Sequence, residues 1–150
     1  MQKAIRLAEQ VMQTNQGGPF GAIIVRNNKI ISQGFNRVTS TNDPTAHAEI
    51  VAIRAACRKI KDFNLSKAAL FTSCEPCPMC LAAIYWAKLS KVYYACTRKD
   101  AAQIDFADDH IYHELARPIG RRKIKFKQLL RPAGLEIFKK WQKKADKIPY

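Results

Sequence analysis

The order of apolar and polar positions along the chain predicts alternating helices and strands. Helical periodicity or an apolar run of helical length marks residues 3–15, 46–60, 77–88, 108–116 and 135–145. Short apolar or alternating runs mark strands at residues 21–25, 29–35, 68–73, 91–96 and 123–130. This order predicts an α/β fold, a three-layer sandwich in which helices flank a central mixed sheet of about five strands.

Two local patterns sharpen this prediction. The pair Asn27-Asn28 separates the first two strands, and adjacent asparagines favour the tight turn of a β-hairpin. The helix at residues 77–88 is apolar nearly all round, which is typical of a helix buried on every face.

The length and charge of the chain limit its class. A chain of 150 residues is long enough for one domain with its own core, so we expect residues 1–150 to form a single domain. Lys and Arg number 26 against 12 Asp and Glu, a net charge of +14 that suggests an anionic partner such as nucleic acid. Residues 117–150 contain 12 basic and 2 acidic side chains, so the excess charge is concentrated in this C-terminal segment.

The chain lacks the signals of membrane insertion and secretion. No apolar run approaches the ~18 residues that a transmembrane helix needs. The N-terminus lacks the apolar region of a signal peptide, so we expect a cytoplasmic protein without a membrane partner. The chain has 5 cysteines, and Cys74, Cys77 and Cys80 lie close together. An odd, clustered set is a poor disulfide framework in a reducing compartment and favours a metal-binding or catalytic role.

The residues that carry chemistry stand at the start of two predicted helices. His47 opens one, and Cys77 and Cys80 open the next at a spacing of i and i+3, so their sulfur atoms can share one ligand. The positive end of a helix dipole favours thiolates. Two thiolates and one imidazole predict a Zn²⁺ site with a fourth position for water, as in catalytic zinc. If Cys74 were a fourth ligand, the site would be closed and structural.

Glu49 follows His47 by two residues. Side chains at i and i+2 on a helix diverge, so both can face one metal only if the ion lies beyond the N-terminus of the helix. A carboxylate there that does not bind the metal could move a proton to and from zinc-bound water. The combined pattern H-x-E and P-C-x-x-C is typical of zinc deaminases.

Beyond these residues, the sequence resembles the cytidine deaminase superfamily and, within it, the bacterial guanine deaminases. The resemblance covers essentially the whole chain. The segments that carry it outside the zinc pattern are residues 17–22, 34–36, 41–46, 72–76, 83–86, 100–102, 108–112 and the C-terminal tyrosine.

The resemblance implies a reaction and its catalytic groups. One Zn²⁺ per subunit would be held by His47, Cys77 and Cys80, with Glu49 as the proton shuttle. Water would attack C2 of guanine and release xanthine and ammonia. A second carboxylate that helps to protonate the leaving amine matches Asp108, with Asp109 as the alternative.

The resemblance also implies how the substrate is held. Asn36 would hydrogen-bond the purine, Ala48 would contact it, and Phe20 and Trp86 would wall the pocket. An aromatic slot suits a flat purine. The C-terminal segment, residues 117–150, would be exchanged between the subunits of a homodimer, so that Tyr150 closes the partner's site.

The sequence leaves three other functions open. A tRNA adenosine deaminase would use the basic C-terminal segment to bind RNA, and its affinity would fall steeply with salt. A related deaminase could act on a nucleoside such as guanosine or cytidine. A nucleic-acid-binding module stabilised by zinc would have a closed site with four protein ligands.

Overall fold

A mixed sheet of four strands runs through the first two thirds of the chain. The strands are β1 (Gly21–Arg26), β2 (Lys29–Phe35), β3 (Ala68–Cys74) and β4 (Lys91–Cys96), in the order β2-β1-β3-β4. Strand β1 is antiparallel to β2 and β3, whereas β3 and β4 are parallel. The computed structural model describes residues 1–150, which divide into two compact units, Met1–Asp109 and His110–Tyr150.

The helices occupy most of the predicted positions. They are α1 (Gln2–Gln13), α2 (Val38–Thr41), α3 (Ala48–Ile60), α4 (Pro78–Trp86), α5 (Arg98–Ala102), α6 (Asp109–Ala116) and α7 (Arg131–Lys143). The short helices α2 and α5 were not expected, because one turn of helix leaves no apolar periodicity in the sequence. None of the helices is long and apolar enough to cross a lipid bilayer.

Two glycines show how the helices cover the sheet. A Cβ atom on Gly21 would lie 2.3 Å from Ala4 O of α1. Gly34 is paired with Ala22, the residue after Gly21, and a Cβ there would lie 2.4 Å from Ala48 O of α3. Because successive strand residues point to opposite faces, α1 and α3 lie on opposite faces of the sheet. The three-layer α/β prediction is therefore confirmed.

We expect Gly34→Ala to destabilise the protein. The added methyl group would overlap with the backbone of α3 at Ala48 and Ala52, which cannot move without shifting the whole helix. Overpacking of this kind costs about 1–3 kcal/mol, so thermal unfolding should show a clearly lower Tm. In the control variant Gly134→Ala, the new Cβ meets no atom within 4 Å, and Tm should stay unchanged or rise slightly. Equal Tm values for Gly34→Ala and the wild type would contradict this packing.

The predicted hairpin turn is confirmed. Asn27 and Asn28 have φ angles of 51° and 59°, the left-handed conformation that a two-residue turn requires at both central positions. The turn joins Arg26 to Lys29, which pair directly across the hairpin.

The sheet has four strands rather than about five. The predicted strand at residues 123–130 has no regular secondary structure, and Ile124 and Phe126 in it are exposed. Apolar and basic residues alternate at positions 124–127, as in a strand. A strand is stable, however, only when its backbone pairs with a neighbouring strand. No strand pairs with this segment in the chain.

Helix α4 is buried on one face only, so the prediction of a fully buried helix is wrong for the single chain. Pro78, Cys80 and Ile84 are buried, whereas Tyr85 and Trp86 are 75% and 66% exposed. An apolar helix needs cover on all sides, and the core formed with α3 and the sheet covers only one side. The unit Met1–Asp109 therefore exposes an apolar surface along α4.

None of the side chains in the unit His110–Tyr150 is buried. Helix α7 has no buried residue, and its Phe138 and Trp141 are exposed. Arg117 pairs with Glu114 in α6, whose other carboxylate oxygen accepts a hydrogen bond from the backbone of Lys123. Most basic side chains of this unit, and the apolar side chains of Phe138 and Trp141, are thus exposed.

Candidate active site

The N-termini of α3 and α4 hold the predicted zinc ligands. His47 is the N-cap residue of α3 and Cys77 is that of α4, and both have extended backbone conformations. Because an N-cap side chain leaves the helix before its regular spiral begins, His47 projects beyond the end of α3. Pro78 stands in the first turn of α4, where it needs no hydrogen-bond donor, and Cys80 follows two residues later.

The three ligand atoms converge. The donor atoms of His47, Cys77 and Cys80 all lie within 4.8 Å of one another, and His47 Nδ1 is 3.5 Å from Cys77 Sγ. Cys74 does not belong to this cluster, and its thiol donates to Thr97 O. One nitrogen and two sulfur atoms form a donor set that suits Zn²⁺ and leaves a fourth tetrahedral position free.

The electrostatics of the cluster also fit a metal cation. A hydrogen bond from Cys80 lowers the pKa of the Cys77 thiol to about 4, and a further one from His47 acts in the same direction. The hydrogen bond to Cys77 and burial raise the pKa of Cys80. The lowered pKa of Cys77 favours the thiolate form that binds a divalent cation, and binding of the cation would displace the proton of Cys80.

Glu49 lies beside this cluster and is not part of it. Its carboxylate is buried, and Thr72 donates a hydrogen bond to Oε1 at 3.1 Å. The Cys80 thiol lies 3.5 Å from Oε2. Burial raises the pKa of Glu49, and a carboxyl group with a raised pKa exchanges protons more readily near neutral pH.

A cavity of about 430 Å³ opens over the cluster. The predicted site residues that line it are Phe20, Asn36, His47, Glu49, Cys77 and Asp108. Cys80 is fully buried next to the cavity, within reach of His47 and Cys77. Ala48 is also fully buried at the start of α3. These residues come from five separate parts of the chain, so the fold brings most of the predicted site together.

Asn36 is held in one orientation. Its Oδ1 accepts hydrogen bonds from the backbone N–H groups of Gly18 and Val38, both at 3.2 Å. The amide nitrogen of Asn36 is therefore the end that remains for a ligand, and the side chain lines the cavity. Asn36 can thus donate to a ligand, and purine ring nitrogens and carbonyl oxygens accept such hydrogen bonds.

The two candidate carboxylates differ in position. Asp108 lines the cavity, and burial raises its pKa. Asp109 does not line it, and its Oδ1 lies 4.0 Å from Nε of Arg98 in a surface ion pair. Of the two candidates, only Asp108 lines the cavity, and its role in proton transfer stays a prediction.

The sequence did not identify Phe106 and Arg98 as site residues. The Phe106 ring meets the Phe20 ring edge to face, with centroids 4.8 Å apart and planes at 88°. A Cβ on Gly18 would lie 2.9 Å from the Phe106 ring, so Gly18 and this ring pack closely. Arg98 also lines the cavity. Neither Phe106 nor Arg98 belongs to a periodic pattern or motif that the sequence analysis used, so neither was recognised.

Two predicted substrate residues lie outside this cavity in the single chain. Trp86 is at the C-terminal end of α4, exposed as described above, and does not line the cavity. Tyr150 is exposed at the end of the second unit. Their roles in binding substrate stay predictions.

Residues 1–96 match the family described as the cytidine and deoxycytidylate deaminase zinc-binding region. The chain belongs to this deaminase family. The family and the His47, Cys77 and Cys80 cluster together support one Zn²⁺ ion per subunit, as predicted. The cluster has three ligand residues, one fewer than a closed structural zinc site contains.

Within this family, the chain is similar to guanine deaminases over its whole length. The chain is 46% identical to the guanine deaminase of Bacillus subtilis (strain 168) over 150 residues, which is 100% of this chain and 96% of that protein. The crystal structure of a guanine deaminase from Bacillus subtilis matches 99% of this chain and 95% of its own with a TM-score of 0.97. A structure described as guanine deaminase from Nitrosomonas europaea matches 90% of this chain and 69% of its own at 27% identity, with a TM-score of 0.66.

The adenosine deaminases of tRNA match a smaller part. The tRNA-specific adenosine deaminase of Rickettsia bellii (strain RML369-C) is 42% identical over 96 residues, which is 63% of this chain and 66% of that protein. The likeness to guanine deaminase thus extends over the chain, whereas the likeness to the tRNA enzyme is confined to a part of it.

Proposed function

We propose that the protein is a zinc-dependent guanine deaminase, which converts guanine and water into xanthine and ammonia. The observation that carries this proposal is the cluster of His47, Cys77 and Cys80 at a cavity of about 430 Å³, with Glu49 beside it but outside the ligand set. The full-length likeness to a guanine deaminase supports guanine as the substrate. The resemblance that the sequence indicated is therefore confirmed at the level of family and enzyme.

This geometry supports a role for each of the chain's own residues. A bound zinc ion would supply a nucleophile at neutral pH, because it strongly lowers the pKa of the water that it binds, to about 7. Glu49 would take up the proton that this water loses and pass it to the nitrogen that leaves C2. Asp108 would assist protonation of the leaving amine, since it also lines the cavity and burial raises its pKa as well.

The purine would be held by one polar and one aromatic contact. The amide nitrogen of Asn36 would donate to an acceptor on the ring, because its oxygen is already occupied by two backbone donors. Phe20 would present an apolar ring to the face or edge of the base, and Phe106 packs against it. Ala48 is fully buried and would contribute through close packing at the base of the site.

A substrate panel tests this proposal against its alternatives. Zinc-loaded protein is incubated separately with guanine, guanosine, cytidine, adenosine and tRNA, and ammonia release and UV absorbance are followed. We expect guanine to give the highest kcat/KM. Deamination of adenosine in tRNA with guanine untouched would favour the RNA enzyme, and binding of RNA would then weaken steeply as salt rises.

We further propose a homodimer that exchanges the C-terminal segment. Each unit of the chain exposes apolar side chains, and exposed apolar patches are typical of interfaces. In Met1–Asp109 these are Tyr85 and Trp86 on α4, and in His110–Tyr150 they are Phe138 and Trp141 on α7. Strand β4 is also an edge strand with mostly exposed residues, which leaves its outer backbone groups without strand partners. Residues 1–150 would then act as one deaminase domain that is completed by its partner.

Removal of Tyr150 tests whether the exchange completes the site. We expect the deletion to lower kcat/KM without lowering Tm, because Tyr150 is exposed within its own unit. Mixing this deletion variant with inactive Glu49→Gln protein under subunit exchange would restore activity, since one site of the mixed dimer has both Glu49 and the partner's C-terminus. A monomer by sedimentation, or no rescue on mixing a defective deletion variant, would contradict exchange.

We also propose that the enzyme acts in the cytoplasm. All of its cysteines are free, and two of them are proposed zinc ligands that must remain reduced. A cell fraction that contains the protein in the membrane pellet would contradict this location.

A further inference from the structure

The general base needs a fixed carboxylate, and the strand behind it supplies a fixed donor. Thr72 lies in β3, between Ala22 of β1 and Tyr94 of β4. Only 1% of its surface is exposed. Because β3 is paired on both sides, the backbone of Thr72 has little freedom, and a β-branched side chain has few rotamers.

The Thr72 hydroxyl donates to Glu49 Oε1 at 3.1 Å in a buried environment. On the other carboxylate oxygen, Oε2, the neighbour is the Cys80 thiol at 3.5 Å. A thiol that binds zinc loses its proton, so Cys80 cannot donate to Glu49 in the metal-loaded protein. The Thr72 hydroxyl then remains as a side-chain donor that can orient the carboxylate.

We propose that Thr72 is a positioning residue, which holds Oε1 of Glu49 and thereby directs Oε2 to the proton-transfer position. This inference rests on the proposed function, because it assigns the proton transfer to Glu49. It adds a residue that does not touch the substrate or the metal cluster but acts through Glu49.

The chain offers a matched comparison for this role. Ser32 is also a buried hydroxyl on the sheet, and it donates at 2.8 Å to Ala52 O of α3, away from Glu49. Both hydroxyl groups link a strand to α3, so removal of either one shows how much such a link contributes to the stability of the fold. Only the Thr72 hydroxyl contacts the carboxylate of Glu49. Thr72→Val keeps the shape of the side chain and removes the donor, whereas Thr72→Ser keeps the donor.

The kinetic test compares these three variants with the wild type on guanine. We expect Thr72→Val to lower kcat about 10- to 100-fold with little change in KM or zinc content, the range that loss of a hydrogen bond to a charged group gives. Thr72→Ser should regain most of the rate, and Ser32→Ala should keep the wild-type kcat. Equal losses in Thr72→Val and Thr72→Ser, or no loss in Thr72→Val, would overturn the proposal.

A crystallographic test separates this inference from the proposed function. In zinc-loaded wild type and Thr72→Ser crystals, Glu49 should show one carboxylate orientation, with the hydroxyl on one oxygen. In Thr72→Val, the carboxylate should rotate or show a second orientation. An unchanged single orientation in Thr72→Val would overturn the role of Thr72 whatever the substrate. A wild type that leaves guanine unchanged but shows the expected orientations would overturn only the proposed function.

Discussion

Replacement of Glu49 by glutamine is expected to lower kcat on guanine by about 10²- to 10⁴-fold, the contribution typical of a positioned general acid–base group. Glutamine has the same length and can still accept from Thr72 at Oε1, so the fold should be retained. It cannot take a proton from water near neutral pH. The metal should stay bound, because Glu49 is not among the three convergent ligands.

The measurement combines steady-state ammonia release with the zinc content of each purified variant. Glu9→Gln, an exposed carboxylate on α1, serves as the control and should keep wild-type activity and zinc. If Glu49→Gln retains its zinc and turns over guanine at more than about a tenth of the wild-type rate, well above the residual expected without a general base, the proton-shuttle role is wrong. If the variant loses zinc, Glu49 is closer to the metal than the ligand set indicates.

Loss of a zinc ligand is expected to have the second large effect. Cys80→Ser removes a fully buried sulfur ligand, and we expect the purified variant to contain little zinc. Its activity should be at least about 10³-fold lower, because water that is not bound to zinc is not ionised at neutral pH and is a poor nucleophile. Its Tm should also fall by several degrees, since a metal that binds only the folded state stabilises that state.

Metal analysis and thermal unfolding check this expectation. Cys57→Ala is the matched control, because Cys57 lies on α3 outside the cluster, and this variant should keep its zinc and its activity. Removal of zinc from the wild type with a chelator should reproduce the loss, and added Zn²⁺ should reverse it. Full activity of the zinc-free wild type would contradict metal-dependent chemistry.

The sequence predicted those features that depend on nearby residues. The Asn27-Asn28 turn follows from the conformations that asparagine tolerates. The prediction that the metal lies beyond the end of a helix followed from the two-residue spacing of His47 and Glu49, and His47 is indeed an N-cap residue. In each case the residues that decide the geometry lie within two positions of each other in the chain.

The features that it missed depend on distant contacts. Ile124 and Phe126 alternate with lysines as in a strand, yet no partner strand reaches them within the chain. The ring of Phe106 meets Phe20 because the fold brings residues 86 positions apart into contact, and neither position has a local signal for this. The prediction that α4 is buried on every face was wrong for the same reason. An apolar sequence shows which residues favour burial, but not which parts of the fold cover them.

The structure shows that the basic charge of the C-terminal segment and the acidic charge around the cavity lie in different parts of the chain. The segment 117–150 contains 12 basic and 2 acidic side chains, and these residues are mostly exposed in their unit. The cavity, by contrast, is lined by the acidic side chains of Glu49, Glu75, Asp105 and Asp108, with Arg98 as the one Lys or Arg there. An uncharged base suits such a cavity better than a phosphate-bearing substrate.

The most direct test of the account is the conversion of guanine by the zinc-loaded wild type in ¹⁸O-labelled water. We expect xanthine and ammonia in equal amounts, with one labelled oxygen in each xanthine, as mass spectrometry would show. Guanine that remains unchanged in the presence of protein with a full complement of zinc would contradict the account.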